Sequence, residues 1–341
     1  MKTQSVETLK GGEILAMDIM DDQNEILLVK GTVIKNEYIE LLKRLEILHV
    51  NLQDDAALME CPHYVLEPSL IAEYVEQIQQ ILESHIYQEI YHGSHSLKSM
   101  KFIARSLTDE LQKRAEKIAV FDIDCILGNL YEHTFIVTAL SLLTAIRMGL
   151  QKDMLYMIAE GCLLHNLGLR YVTVPYQDFV PEDHTPAEVF ELKKHTILGY
   201  SALESASWLD STVKDMVLFH HERKDGSGYP LKQKKNSLEC RIIQVCDSFC
   251  CKIFGLECRR ISVEEAWREL FFDQGKLYDK EVTDILLSLA ACYPVGTIIK
   301  NTGIVIEQTE NPIDPLVAAF GENGSLTGKQ IRLEGETCTN I

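Results

Sequence analysis

Five histidines and one aspartate stand in settings that could do metal chemistry. His133 lies within CILGNLYEHTFIVTALSLLTAIRMG, His165 follows MLYMIAEGCLL, His195 opens HTILGYSAL, and His220 and His221 close VKDMVLFHH. Asp247 sits inside the strongly apolar CRIIQVCDSFCCKIF, where a carboxylate needs a partner because burying an unpaired charge is costly. Imidazole nitrogens with a carboxylate are the ligand set of a hydrolytic divalent-metal site. Apart from the adjacent histidine pair, each residue comes from a different segment, and helix bundles build metal sites from inward side chains on facing helices. Spacing alone also admits satisfied core histidines. His184, in the polar loop PEDHTP, is set apart, and the His92/His95 pair lies in a polar segment where solvated imidazoles are expected.

The elements that must position these residues are mostly helices. Segment 125–149 is apolar on most faces, so a buried helix is expected. MLYMIAEGCLLHNLG reads as a second buried helix, ended by Gly168. Ser262 with Glu265 forms a capping box before AWREL. The pattern is helical from about 101 to 290. Upstream, residues 1–60 read as a small α/β module, with a hairpin across DDQN, a helix in NEYIELLKRL and a closing strand in LEILHVNL. Residues 61–100 read as a helical linker broken at YHGSHS. Residues 291–341 alternate and carry Gly turns, so a small C-terminal β module is expected. The expected fold class is therefore mainly α: a helical bundle flanked by two small modules.

The chain has 341 residues, enough for two or three domains, and a formal net charge of −18. So acidic a surface disfavours polymeric nucleic acid and anionic membrane, which both reward clustered positive charge. No apolar run reaches the roughly 18 residues of a membrane span, and MKTQSVETLKGGE lacks the apolar core of a signal peptide. The 10 cysteines include no CxxC pair, which fits reduced thiols and a cytoplasmic location. Among them Cys240, Cys246, Cys250, Cys251 and Cys258 cluster, and buried packing is the expected role. No Walker loop, Rossmann fingerprint or Gly-x-Ser-x-Gly elbow is found.

The order of these residues resembles the HD-GYP family, a branch of the HD phosphohydrolase superfamily. The resemblance rests on LLHNLG, where the family has His-Asp-x-Gly-Lys, and more on HHERKDGSGYP, where His220, His221, Glu222, Gly228, Tyr229 and Pro230 stand intact. It covers about 125–290, and the flanking modules look like those often found beside the family's domain. It implies a helical HD-type bundle with a divalent metal site, iron or manganese, of one or two ions here. The implied ligands are His133, His165, His195, His220, His221 and Asp247. The implied activity is hydrolysis of cyclic di-GMP or another phosphoester. It also implies that the loop of Gly228, Tyr229 and Pro230 borders the site and can contact substrate or a protein partner.

The departures fall in the chemistry. Asn166 stands where the family has a metal-bridging Asp, and Leu169 where it has a Lys. Arg170 is adjacent, but on a helix its direction would differ by about 100°. Asn129 and Cys250 stand where some members carry further acidic residues, and the family's basic stretch survives as Arg259 and Arg260. One helical turn would put Cys250 on the face of Asp247. The expectation is a degenerate signalling protein that keeps a metal site and serves as a receptor or partner-binding module with weak or lost hydrolysis. The alternatives are a working phosphodiesterase with an altered metal centre and a metal-free scaffold.

Overall fold

The computed structural model describes residues 2–11, 13–15, 19–20, 26–28, 32–45, 47, 49–52, 66, 68–88, 95–115, 118, 120–123, 128–299, 302–320 and 326–333. The turn DDQN, His92 and most of YHGSHS lie outside these residues, as does the side chain of His95. The chain divides into two compact units: residues 65–292, and a second unit that joins residues 1–64 to 293–341. No helix among the described residues is long and apolar enough to cross a membrane.

The larger unit is a helical bundle of α2 (Pro68–Gln88), α3 (His95–Arg114), α4 (Leu130–Arg147), α5 (Lys152–Leu164), α6 (Pro186–Lys193), α7 (His195–Leu203), α8 (Ser211–Phe219), α9 (Leu238–Phe254), α10 (Val263–Asp273) and α11 (Lys280–Leu289). At its centre is α4, buried along nearly its whole length and packed on α2, α3, α5, α9 and α11. A helix buried on all faces must satisfy its own polar groups. Thr134 and Thr138 do so by donating back to the carbonyls of Leu130 and Thr134, at 2.8 and 2.7 Å. Segment 61–100 contributes α2 and the first turn of α3 to this bundle. Tyr74, Val75, Ile78 and Leu82 are buried, and Tyr74 stacks on Phe135 with ring centroids 5.9 Å apart.

Local chemistry sets the helix ends that matter. Asn129 caps α4, accepting from the backbone N–H groups of Tyr131 and Glu132. The side chain of Ser237 caps α9, and Gly255, at φ 66°, ends it in the left-handed conformation that favours glycine. The expected capping box of Ser262 and Glu265 opens α10. The expected end of α5 at Gly168 is corrected: the helix stops at Leu164, and Leu167–Tyr171 form a 3-10 turn. The reason is a backbone approach. A Cβ on Gly168 would lie 1.8 Å from the carbonyl oxygen of His195 and 2.6 Å from the amide of Gly199. The turn therefore lies directly on α7.

In the smaller unit, β1 (Lys2–Ser5) pairs antiparallel with β4 (His49–Leu52), and β2 (Ile19–Met20) with β3 (Ile26–Leu28). With α1 (Asn36–Arg44) these bury Val6, Leu15, Ile34, Leu42 and Val50. The C-terminal strands β5 (Ile298–Ile299), β6 (Gly303–Glu307), β7 (Leu316–Phe320) and β8 (Leu326–Arg332) form one antiparallel sheet in sequential order. Ile304 of that sheet packs with Ile14 and Val33, so both flanking segments share one core.

Candidate metal centre

The six residues singled out from the sequence converge. His133, His165, His195, His220 and Asp247 are wholly buried, and His221 nearly so. Their rings form a continuous chain of contacts. Centroids are 5.6 Å apart for His133 and His165, 5.1 Å for His165 and His220, 5.2 Å for His195 and His220, and 4.2 Å for His220 and His221.

Three of the imidazoles are fixed by the helix ends that carry them. His165, His195 and His220 each place Nδ1 on the carbonyl three residues back, at 2.5 Å from Cys162, 2.9 Å from Leu192 and 2.8 Å from Val217. A carbonyl only accepts, so each Nδ1 carries the proton and each Nε2 presents a lone pair to the cavity. This is the orienting hydrogen bond that metal-ligating histidines make. The inward atoms then crowd one another. His165 Nε2 and His133 Nε2 both lie 3.1 Å from Asp247 Oδ1, and His195 Nε2 lies 3.1 Å from His220 Nε2. Lone pairs at that distance repel unless a proton or a metal ion lies between them.

The electrostatics point the same way. Burial, first of all, lowers the pKa of His133 and His195 and puts that of His220 well below the usual imidazole range. These rings are neutral, as ligands must be. Burial alone would raise Asp247, but the hydrogen bond from His133, the contact with His165 and the other neighbouring imidazoles hold it well below the usual carboxylate range. Asp247 Oδ2 has no hydrogen-bond partner and lies 3.8 Å from His221 Nδ1. His133 Nδ1 and both polar side-chain atoms of buried Asn166 also lack partners. An ionised carboxylate with an open oxygen, surrounded by imidazoles, fits a divalent cation in both charge and donor type. Among the described residues, two donor groups are tight enough to hold an ion: His195 with His220 and His221, and His133 with Asp247 and Cys251.

Sequence reasoning missed Glu257. Its Oε1 lies 3.3 Å from His221 Nε2 and 3.5 Å from His195 Nε2. Burial would raise its pKa, but His195 and His221 pull it down to about 2. The available signal was Gly255, which marks where α9 ends and the chain turns back. The cysteine beside Asp247 is Cys251, with Sγ 3.5 Å from Oδ1. Burial puts its pKa well above the ordinary thiol value, so it donates as a thiol. Cys250 is buried, as expected of packing. Asn129 is occupied as a helix cap. Leu169 is buried on the 3-10 turn, where successive residues step by about 120° rather than 100°. Of the surviving basic residues, Arg260 donates to the Ile253 carbonyl at 2.9 Å, and both Arg259 and Arg260 are exposed.

The intact string after His220 builds the wall of the centre. Glu222 is wholly buried and accepts from the amides of Leu231 and Gln233, at 2.6 and 2.8 Å, so it holds the loop. Gly228 is required by crowding: a Cβ there would meet the His221 carbonyl oxygen at 2.4 Å and the Arg223 amide at 2.5 Å. Tyr229 stacks on His221, with centroids 4.7 Å apart, and its hydroxyl donates to Glu257 Oε2 at 2.9 Å. The Tyr229–Pro230 peptide is cis.

The sequence profile of the HD domain family matches residues 99–282. A cyclic di-GMP phosphodiesterase of Thermotoga maritima is 32% identical over 218 residues, which is 60% of this chain and 58% of that protein. A cyclic di-GMP phosphodiesterase of Pseudomonas aeruginosa is 29% identical over 52% of this chain and 44% of its own length. The chain thus spans about half the length of these curated relatives. Among solved structures, that of Bd1817, an HDG"Y"P protein from Bdellovibrio bacteriovorus, superposes with a TM-score of 0.54 at 15% identity. It covers 84% of this chain and 98% of its own, a likeness of fold. With HHERKDGSGYP walling a pocket of converged imidazoles, the chain belongs to the HD domain superfamily, in its HD-GYP branch.

Proposed function

We propose that this chain is a metal-holding HD-GYP signalling protein in which hydrolysis is weakened or lost. It binds cyclic di-GMP or a related phosphoester in a receptor or partner-binding role. His133, His165, His195, His220, His221 and Asp247 hold the divalent ion or ions, for which iron or manganese suits a mixed imidazole and carboxylate set. When bound, such a metal supplies Lewis acidity and a nucleophile at neutral pH. The chain's own residues fix the imidazole tautomers, keep Asp247 ionised and present Tyr229 beside the donors. The Gly228–Pro230 loop forms the contact surface for the phosphoester or for a protein partner.

One observation carries the reduced activity. Asn166, buried with both polar side-chain atoms unpartnered, offers an amide where the family has a charged, bridging carboxylate, and Leu169 replaces the family's cation. The first change weakens the grip on a second metal, and the second removes a group that would hold phosphate. Metal-assisted charge stabilisation is worth several kcal/mol in such reactions. A second reading, an active phosphodiesterase with an altered centre, is favoured by the additional carboxylate of Glu257.

The test combines metal analysis of anaerobically purified protein with calorimetric titration and turnover of cyclic di-GMP. The proposal expects about one equivalent of metal or more, measurable binding, and turnover far below about 1 per second. Asn166→Asp combined with Leu169→Lys should raise hydrolysis about 100-fold. Turnover of the unmodified protein at about 1 per second or faster selects the second reading. Metal below about a tenth of an equivalent refutes both.

A further inference from the structure

The turn after α9 is held in an uncommon conformation. Glu257 has φ 59°, in the left-handed region that non-glycine residues enter at a cost of about 1 kcal/mol or more. It follows Gly255, itself left-handed, and three hydrogen bonds pin the turn to residues 176–178. The Glu257 amide donates to the Tyr176 carbonyl at 2.7 Å, and the Asp178 amide to Gly255 at 2.6 Å. The Gln177 side chain donates to Phe254 at 2.6 Å, and Gln177 and Leu256 form an isolated β-bridge. The result is a carboxylate turned inward, with its side chain only 9% exposed. The Tyr229 hydroxyl occupies Oε2 and leaves Oε1 facing His195 and His221.

Glu257 Oε1 stands beside two of the three imidazoles at the spacing of neighbouring donors on one ion, just outside the tight group of His195, His220 and His221. A tetrahedral site with ligands at about 2.1 Å has ligand–ligand edges of about 3.4 Å. The edges here are 3.1 Å from His195 Nε2 to His220 Nε2, 3.5 Å from His195 Nε2 to Glu257 Oε1, and 3.3 Å from His221 Nε2 to Glu257 Oε1. Asp247 serves the group of His133 and His165. Among the described residues, no other carboxylate lies within 3.5 Å of an Nε2 atom of the three remaining histidines.

We infer that Glu257 is a metal ligand, completing a three-histidine, one-carboxylate site with His195, His220 and His221 and restoring the negative charge that Asn166 lacks. The inference rests on the metal-holding reading above. Glu257→Gln keeps the shape and removes the charge. Elemental analysis of anaerobically purified protein should show it losing about one equivalent of iron or manganese relative to the unmodified chain, with circular dichroism unchanged. A variant that folds and keeps the full metal content overturns the assignment, although the metal-holding reading stands. An unmodified chain without metal overturns both. If Glu257→Gln does not fold, the unmodified chain is labelled with ¹³C at glutamate side-chain carboxyls. Infrared spectra are then compared before and after manganese loading. A shifted glutamate band supports ligation, and a spectrum in which only aspartate bands move overturns it.

Discussion

His133 and Asp247 project from the interiors of α4 and α9, whereas His195, His220, His221 and Glu257 stand at helix ends or in turns. The helical side of the centre takes its geometry from the packing of α4 on α9. The loop side takes it from close backbone approaches at Gly168 and Gly228 and from the pinned turn at Glu257. The departures from the family pattern, Asn166 and Leu169, fall at the start of and within the 3-10 turn packed on α7, while the loop string is intact. Donor positions thus persist on both sides of a segment whose charges have changed. On the proposed reading, that pattern separates holding a metal from turning over a substrate.

The contrast can be broken most forcefully at Asp247, whose two oxygens face His133 and His165 on one side and His221 on the other. Asp247→Ala should reduce retained metal below about a tenth of an equivalent. It should also cost about 4 kcal/mol of stability, as removal of one partner from a buried polar pair does. Elemental analysis and urea melts check both. Gly168→Ala drives a methyl into the backbone of α7 and should cost more than about 3 kcal/mol, with a matching fall in melting temperature. An unchanged melting temperature would dissolve the claim that this approach packs the turn on α7.

Acid should act next. His133, His195 and His220 are held neutral when folded, so below about pH 6.5 the unfolded chain takes up protons that the native centre refuses. Stability of chelator-treated protein should fall as pH drops below about 6.5, read by urea melts, and a flat profile there would count against the buried neutral rings. Glu257 adds stability above the ordinary glutamate value of 4.5, and this is lost as pH falls toward its folded value of about 2. Tyr229→Phe leaves buried Glu257 Oε2 without its donor and should cost about 1–2 kcal/mol. The smallest effect sharpens the assignment of Asn129. Asn129→Ala should cost about 1 kcal/mol as a lost helix cap and leave metal content unchanged.

The helical bundle and the six converging residues were legible because burial leaves a periodic trace. Helices rich in Leu, Ile and Val that still contain His or Asp announce polar groups needing partners. Glu257 left no such trace. It lies ten positions beyond Asp247 and past the end of α9, where periodicity no longer says which way a side chain points. Cys251 rather than Cys250 meets Asp247 because the pairing runs four residues apart, not three, a difference of rotation that composition does not encode. Asn129 could be read as a lost acidic ligand or as a helix cap, and only the position of the first turn of α4 decides between them.

By itself, the sequence determined the order and chemical type of the donors, because residue identity sets which atoms can bind a cation. It also determined the loss of charge at Asn166 and Leu169. Only the tertiary structure decided which nitrogen of each imidazole faces inward, that Gly168 brings the turn onto α7, and that Glu257 joins the site. Those outcomes depend on backbone atoms from distant segments meeting in space, and no local pattern of side chains records such a meeting.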